Sequence, residues 1–250
     1  MGQVIHRPAC HVGVGYHDRR FQAAQASPAG ARVLDPDTFP TETAEFFLSG
    51  PAGKLEVLTD FPEAGSERAA TAVLCHPHPR HGGTMRNKVV TIMERALREL
   101  GLPTVRFNFR GVGESEGEFD DGDGETGDVA AVVEWVQRVR PATDLWLGGF
   151  SFGAYITVRA AQDLPVRQLI SIAPPVERYG FENFVPPNCP WLVVQGDEDD
   201  VVSPEAVIAW ANALDQQPSL VIMEGTGHFF HRRLMDLRGL IKNHVQPNLP

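Results

Sequence analysis

Asp144-Leu145-Trp146-Leu147-Gly148-Gly149-Phe150-Ser151-Phe152-Gly153-Ala154-Tyr155-Ile156-Thr157-Val158 is the stretch on which the fold turns. Its first half is an apolar run of strand length. Its second half carries no breaker and continues as a helix. Between them, Gly149-x-Ser151-x-Gly153 predicts a sharp strand-to-helix turn, with the glycines making room for crowded backbone. A serine at that corner has an exposed Oγ. It also has backbone N–H groups and the positive end of a helix dipole beside any developing negative charge. Ser151 is therefore the candidate nucleophile. The same spacing recurs at Gly113-Glu114-Ser115-Glu116-Gly117, without a strand directly before it or a helix directly after. Two flanking glutamates there would oppose an alkoxide and an oxyanion alike, so Ser115 reads as a loop residue.

Outward from this corner, the periodicity alternates between strand and helix. Residues 44–48 and 54–59 read as a hairpin closed through Ser49-Gly50-Pro51-Ala52-Gly53. Further strands are predicted at 71–75, 104–109, 145–147, 166–172, 191–194 and 220–223. Helices are predicted at 87–100, 128–140, 151–162, 204–214 and 229–244. This order predicts an α/β fold: a mostly parallel central sheet with an antiparallel N-terminal edge and helices on both faces. The connection 173–190 is too short for a folded lid, so no large lid domain is expected and the site should be open. Residues 1–40 mix Gln, Ala, Pro, His and Arg without apolar period and read as a loosely ordered extension. Residues 41–250 read as one domain.

A serine nucleophile needs a base, and the base needs an acid to orient it. The strand at 191–194 opens into Gln195-Gly196-Asp197-Glu198-Asp199-Asp200-Val201-Val202, and that at 220–223 into Glu224-Gly225-Thr226-Gly227-His228. Both segments lie at the C-terminal ends of strands, where open parallel sheets gather ligands. Gly196-x-x-Asp199 followed by a valine pair is the favoured acid spacing, with Asp197, Glu198 and Asp200 as alternatives. His228 is favoured over His231, which the predicted last helix places a turn away.

The strand at 71–75 ends in His76-Pro77-His78-Pro79-Arg80-His81-Gly82-Gly83. Three histidines in this spacing invite a metal-dependent hydrolase as a rival. Arg80 stands where an HxHxDH site needs aspartate, and a cation there disfavours a metal. No metal is expected. Gly111-x-Gly113 fails the GxGxxG fingerprint at Glu116, so no dinucleotide cofactor is expected either.

Leu74-Cys75-His76-Pro77-His78-Pro79, Gly82-Gly83-Thr84-Met85, Asn87-Lys88-Val89-Val90, Arg106-Phe107-Asn108-Phe109-Arg110-Gly111-Val112-Gly113 and Gly149-Phe150-Ser151-Phe152-Gly153 together resemble a family of small bacterial α/β-hydrolases. The family is lidless and related to dienelactone hydrolases and short-chain serine esterases. The resemblance covers about residues 44–245. It implies an α/β-hydrolase fold, with Ser151, Asp199 and His228 as a catalytic triad in that chain order. It also implies an oxyanion hole from the backbone N–H groups of His78 and Phe152. Pro77 and Pro79 have no N–H, which leaves His78 as the donor in the first turn of its loop. Dienelactone hydrolases proper use a cysteine nucleophile, so that activity is not implied here.

Composition bounds the remaining possibilities. The chain has 250 residues, 22 Lys and Arg against 32 Asp and Glu, and a net charge of −10. Residues 113–128 alone hold Glu114, Glu116, Glu118, Asp120, Asp121, Asp123, Glu125 and Asp128 with no Lys or Arg, which is −8 of that −10. A calcium loop fails because Thr126 stands where the EF-hand needs glycine; a solvated loop feeding the next helix is expected. The absence of a dense basic run argues against a nucleic-acid partner. No apolar stretch approaches the ~20 residues of a membrane span, and the first 40 lack the apolar core of a secretory signal. Cys10, Cys75 and Cys189 are widely spaced and read as reduced thiols, so a cytoplasmic location is expected. The function expected is cleavage of a small-molecule carboxylic ester or thioester through an acyl-enzyme, without a cofactor. A peptidase or amidase on the same fold and a non-catalytic interaction protein are the other rivals. The sequence sets no oligomeric state.

Overall fold

The structure is a computed structural model that describes residues 34–250. The part of the predicted N-terminal extension before residue 34 lies outside the described residues. Eight strands form one sheet in the order β1-β2-β4-β3-β5-β6-β7-β8. β1 (Ala44–Gly50) and β2 (Gly53–Asp60) pair antiparallel, and β2 pairs antiparallel with β4 (Thr104–Phe107). The rest is parallel: β3 (Ala70–Cys75), β5 (Asp144–Phe150), β6 (Val166–Ile172), β7 (Trp191–Gly196) and β8 (Ser219–Met223). This is the expected α/β sheet with its antiparallel N-terminal edge.

Side-chain alternation along the strands divides the core between two faces. Leu145 and Leu147 of β5 join Val73, Val105, Leu169 and Val193 on one face. Against them lie Val129, Val132, Val133 and Val136 of α2 (Asp123–Val139), Ile156 of α3 (Phe152–Ala160) and Val207 of α4 (Pro204–Ala213). Trp146 points the other way and packs with Leu74, Ile170 and Val194. That second face is covered by Val90, Met93 and Leu97 of α1 (Lys88–Arg98) and by Leu237, Ile241 and Val245 of α5 (Leu234–Val245). Glu99 ties the two helices, accepting from Arg238 at 2.7 Å and Lys242 at 2.8 Å.

Several boundaries differ from the sequence reading, among them β5, which runs to Phe150, and β4, which ends at Phe107; three have a clear cause. α2 begins at Asp123, five residues before the predicted start. Glu125 accepts from the N–H groups of Asp120 and Gly122 and organises that first turn. α5 begins at Leu234 rather than 229, because Phe230 and Arg232 hold positive φ and break the helix there. The stretch 34–40, placed by composition in the extension, packs on the domain. Leu34 bridges to Phe47, Pro36 accepts from the Trp135 indole, and Phe39 stacks on the Trp135 ring.

The acidic stretch is only partly solvated. Asp128 is fully buried and takes the Arg110 side chain through Nε and Nη2, and its backbone N–H besides. Glu125 is buried in its capping role.

Candidate active site

Ser151 sits at the corner between β5 and α3, with φ 53° and ψ −118°. The corner is possible only because the residues two before and two after the serine lack side chains. A Cβ on Gly149 would lie 2.2 Å from the Gly153 carbonyl carbon, and one on Gly153 would lie 2.4 Å from the Cys75 oxygen. The Ser151 N–H donates to Ile172 O at 2.8 Å, which pins the turn to the end of β6. Its hydroxyl makes no cap bond to α3 and is directed elsewhere.

His228 occupies the loop between β8 and α5, with its ring packed against Phe150. His228 Nε2 lies 3.2 Å from Ser151 Oγ, and Nδ1 lies 2.8 Å from Asp199 Oδ2. This network assigns the proton to Nδ1 and leaves Nε2 to accept from the hydroxyl. Asp199 follows β7 and is the one buried acid of its group; Asp197, Glu198 and Asp200 are exposed. Its Oδ1 accepts from the N–H groups of Val201 and Val202 at 2.9 and 2.8 Å. Its Oδ2 is shared between His228 and the Gln195 amide, 3.0 Å away. Burial pushes this carboxyl up, but the bonds from His228, Val202 and Val201 outweigh it and hold it below the usual carboxylate range.

The His76–His81 loop sorts its three rings differently. His76 is fully buried and donates from Nδ1 to Pro77 O (2.6 Å) while Nε2 accepts from the Phe109 N–H (3.1 Å). Burial, the largest cause, lowers its pKa to about 4, against the bond to Pro77. With both nitrogens engaged, His76 cannot ligate a metal from this position. Among the described residues no group of three His, Cys, Asp or Glu is placed to hold one. His78 caps the following turn, accepting from Arg80 N, and stacks on His81. Burial, then the charges of His81 and Arg80, lowers its pKa. The backbone N–H groups of His78 and Phe152 have no protein acceptor among the described residues. Both residues line the cleft that holds Ser151.

That cleft encloses about 180 Å³. Pro175, Arg178 and Tyr179 of the β6–β7 connection form one part of its wall, and Val201, Val202 and Phe229 another. The arrangement can deprotonate a hydroxyl and present it to a carbonyl. Ser115 can do none of this. It is buried, accepts from Glu56 N at 2.9 Å and donates to Asn108 O at 2.7 Å. His231 is exposed, in the turn before α5. The sequence reading missed Gln195, Arg178 and Tyr179. Gln195 carried a signal, as a polar residue inside an apolar strand; the other two carried none, since only the chain path brings their loop to Ser151.

The family described as "Alpha/beta hydrolase domain" matches residues 69–243. A crystal structure from Xanthomonas campestris, described as an α/β serine hydrolase without lid, is 54% identical. It covers 86% of this chain and 99% of its own, with a TM-score of 0.83. An α/β serine hydrolase homologue from Coxiella burnetii is 50% identical over 82% of this chain and 99% of its own, with a TM-score of 0.80. An uncharacterised protein of Rickettsia prowazekii is 35% identical over 80% of this chain and 88% of its own length.

Proposed function

The chain belongs to the α/β-hydrolase family, among serine hydrolases, and from that premise we propose that it cleaves small carboxylic esters or thioesters through a Ser151–His228–Asp199 triad. The observation that carries the reading is the hydrogen-bonded row from Ser151 Oγ through His228 to Asp199 Oδ2, at 3.2 and 2.8 Å. It stands beside two N–H groups without a protein acceptor.

In this reading His228 Nε2 takes the Ser151 proton as Oγ attacks the carbonyl carbon. Asp199 keeps the imidazole in the Nδ1–H form and stabilises the imidazolium. The N–H groups of His78 and Phe152 receive the oxyanion. His228 then gives the proton to the leaving oxygen or sulfur, and the acyl-enzyme remains. Water repeats the attack, with its proton passing through His228 back to Oγ. A cleft of about 180 Å³ is below the roughly 300–1,000 Å³ of sites for drug-sized ligands, which favours a short acyl chain.

The test is a p-nitrophenyl ester chain-length series on wild type and Ser151→Ala, beside aminoacyl anilides. Hydrolysis of acetate and butyrate esters by wild type, and its loss by at least ~10³-fold in Ser151→Ala, is expected. Retained turnover in a folded Ser151→Ala protein would contradict the reading, and faster anilide than ester cleavage would redirect it to amides.

A further inference from the structure

The chain carries a net charge of −10, yet its catalytic cleft is lined by no Asp or Glu. The charged side chain in the lining is Arg178, beside three histidines. Asp199 lies behind the His228 ring, buried and engaged. Arg178 is exposed on the β6–β7 connection, next to Tyr179, whose ring packs edge-on against Phe152, the residue after the nucleophile.

Its partners set Arg178 apart. Every other described arginine except Arg232 has a carboxylate, a carbonyl or an aromatic ring against its guanidinium. Arg178 has none among the described residues, although it lines the cleft. The charge nearby is mixed. Arg80 stands over the Phe119 ring, which packs on both His78 and Phe152. Asp121 is the acid whose charge reaches the same two rings as Arg178, those of His78 and Tyr179. Asp121 does not line the cleft and makes no ion pair with Arg178. Glu118 and Asp120, the acids just before it in sequence, are exposed and do not line the cleft; after it, Asp123 pairs with Arg159, Glu125 with backbone, and Asp128 with Arg110.

A guanidinium held unpaired at the mouth of a cleft recruits anions and offers paired donors to a planar carboxylate. We propose that the preferred substrate is an ester that itself bears a carboxylate, held by the Arg178 guanidinium while Ser151 attacks the ester carbonyl. This rests on the esterase reading and names its substrate class. The carboxylate takes no part in bond making. The Oγ–acyl bond forms and the ester C–O bond breaks, the hydroxyl proton going through His228 to the leaving oxygen. Water then releases the acid and restores the serine proton.

Two matched pairs of substrates place the anion on either side of the scissile bond. Mono(4-nitrophenyl) adipate is compared with its methyl ester, and 4-carboxyphenyl acetate with methyl 4-acetoxybenzoate. The readout is the ratio of kcat/KM, acid over neutral, within each variant, which the folded fraction does not affect. Wild type should prefer the acid in one pair. Arg178→Ala should lower that ratio by roughly tenfold, as expected for a charge-assisted bond at a partly exposed site. Arg178→Lys should recover part of it and Arg178→Glu should invert it. Added salt should reduce the ratio in wild type and leave Arg178→Ala unmoved. No acid preference in either pair, or a preference untouched by Arg178→Ala, would overturn the proposal while neutral-ester hydrolysis kept the esterase reading intact. Absence of hydrolysis of all four esters would strike the esterase reading itself.

Discussion

Ser151 holds φ 53° and ψ −118°, outside the three regions open to residues with a Cβ. Such strain costs about 1–3 kcal/mol and persists where surrounding structure enforces it. Here the enforcement is the bond from Ser151 N to Ile172 O and the close passage of Gly153 over the Cys75 carbonyl. Comparing Ser151→Gly with Ser151→Ala isolates the strain. Both lose Oγ and its contact with His228, and neither loses a cap bond, because Ser151 makes none. Glycine relieves the strain but adds about 0.4–1 kcal/mol of unfolded-state entropy. The net expectation is that the glycine variant is about 1–2 kcal/mol more stable than the alanine variant. At roughly 2–4 °C per kcal/mol for a chain of this size, that is about 2–8 °C in melting temperature. Thermal unfolding followed by calorimetry, with urea titration as a second measure, reads it directly. A glycine variant that melts at or below the alanine variant would refute the argument that the corner is strained.

Gln195→Leu removes a donor from Asp199 Oδ2 and leaves the carboxylate charge more available to a protonated His228. The acid limb of the kcat/KM profile should move up by a few tenths to about one pH unit; lower activity with an unmoved limb would mean that Gln195 is structural only. Asp128→Asn leaves the buried Arg110 guanidinium without its counter-charge and should cost about 3 kcal/mol in urea unfolding, with a loss under ~1 kcal/mol counting against the pair. For His76 the folded pKa, about 4, lies below its ordinary 6.5, so the unfolded chain binds the extra proton between those values. Its contribution is complete above pH 6.5 and is lost as pH falls toward 4, by up to about 3 kcal/mol. A His76 ring that titrates near 6.5 by NMR in the folded protein would contradict this.

Much of the architecture is legible because its causes are local. The parallel strands are short apolar runs, and the corner at Ser151 announces itself by two glycines whose absence of side chains is a steric necessity. Asp199 could be chosen over its three acidic neighbours by spacing, and it is the buried one. What the sequence hid is tertiary. The predicted start at 128 leaves out the first turn of α2, where Gly124 gives room to the Arg110 guanidinium, which a Cβ there would meet at 2.1 Å. The acids at 125 and 128 read as solvent-facing until the chain path brings them backbone N–H groups and Arg110 as partners. The residues 34–40 look like tail because their anchor, Trp135, is a hundred residues away. The unpaired state of Arg178 is likewise invisible without the partners of every other arginine.

The central claim is that Ser151, and not Ser115, is the activated nucleophile. Reaction of the intact protein with a fluorophosphonate, followed by mass spectrometry of the whole chain and its peptides, tests it most directly. The account predicts one adduct per chain, on the peptide containing Ser151, and none in His228→Ala at matched exposure. An adduct on Ser115, whose hydroxyl is bonded at 2.7 Å to Asn108 O, or no adduct on the folded wild-type protein, would contradict it.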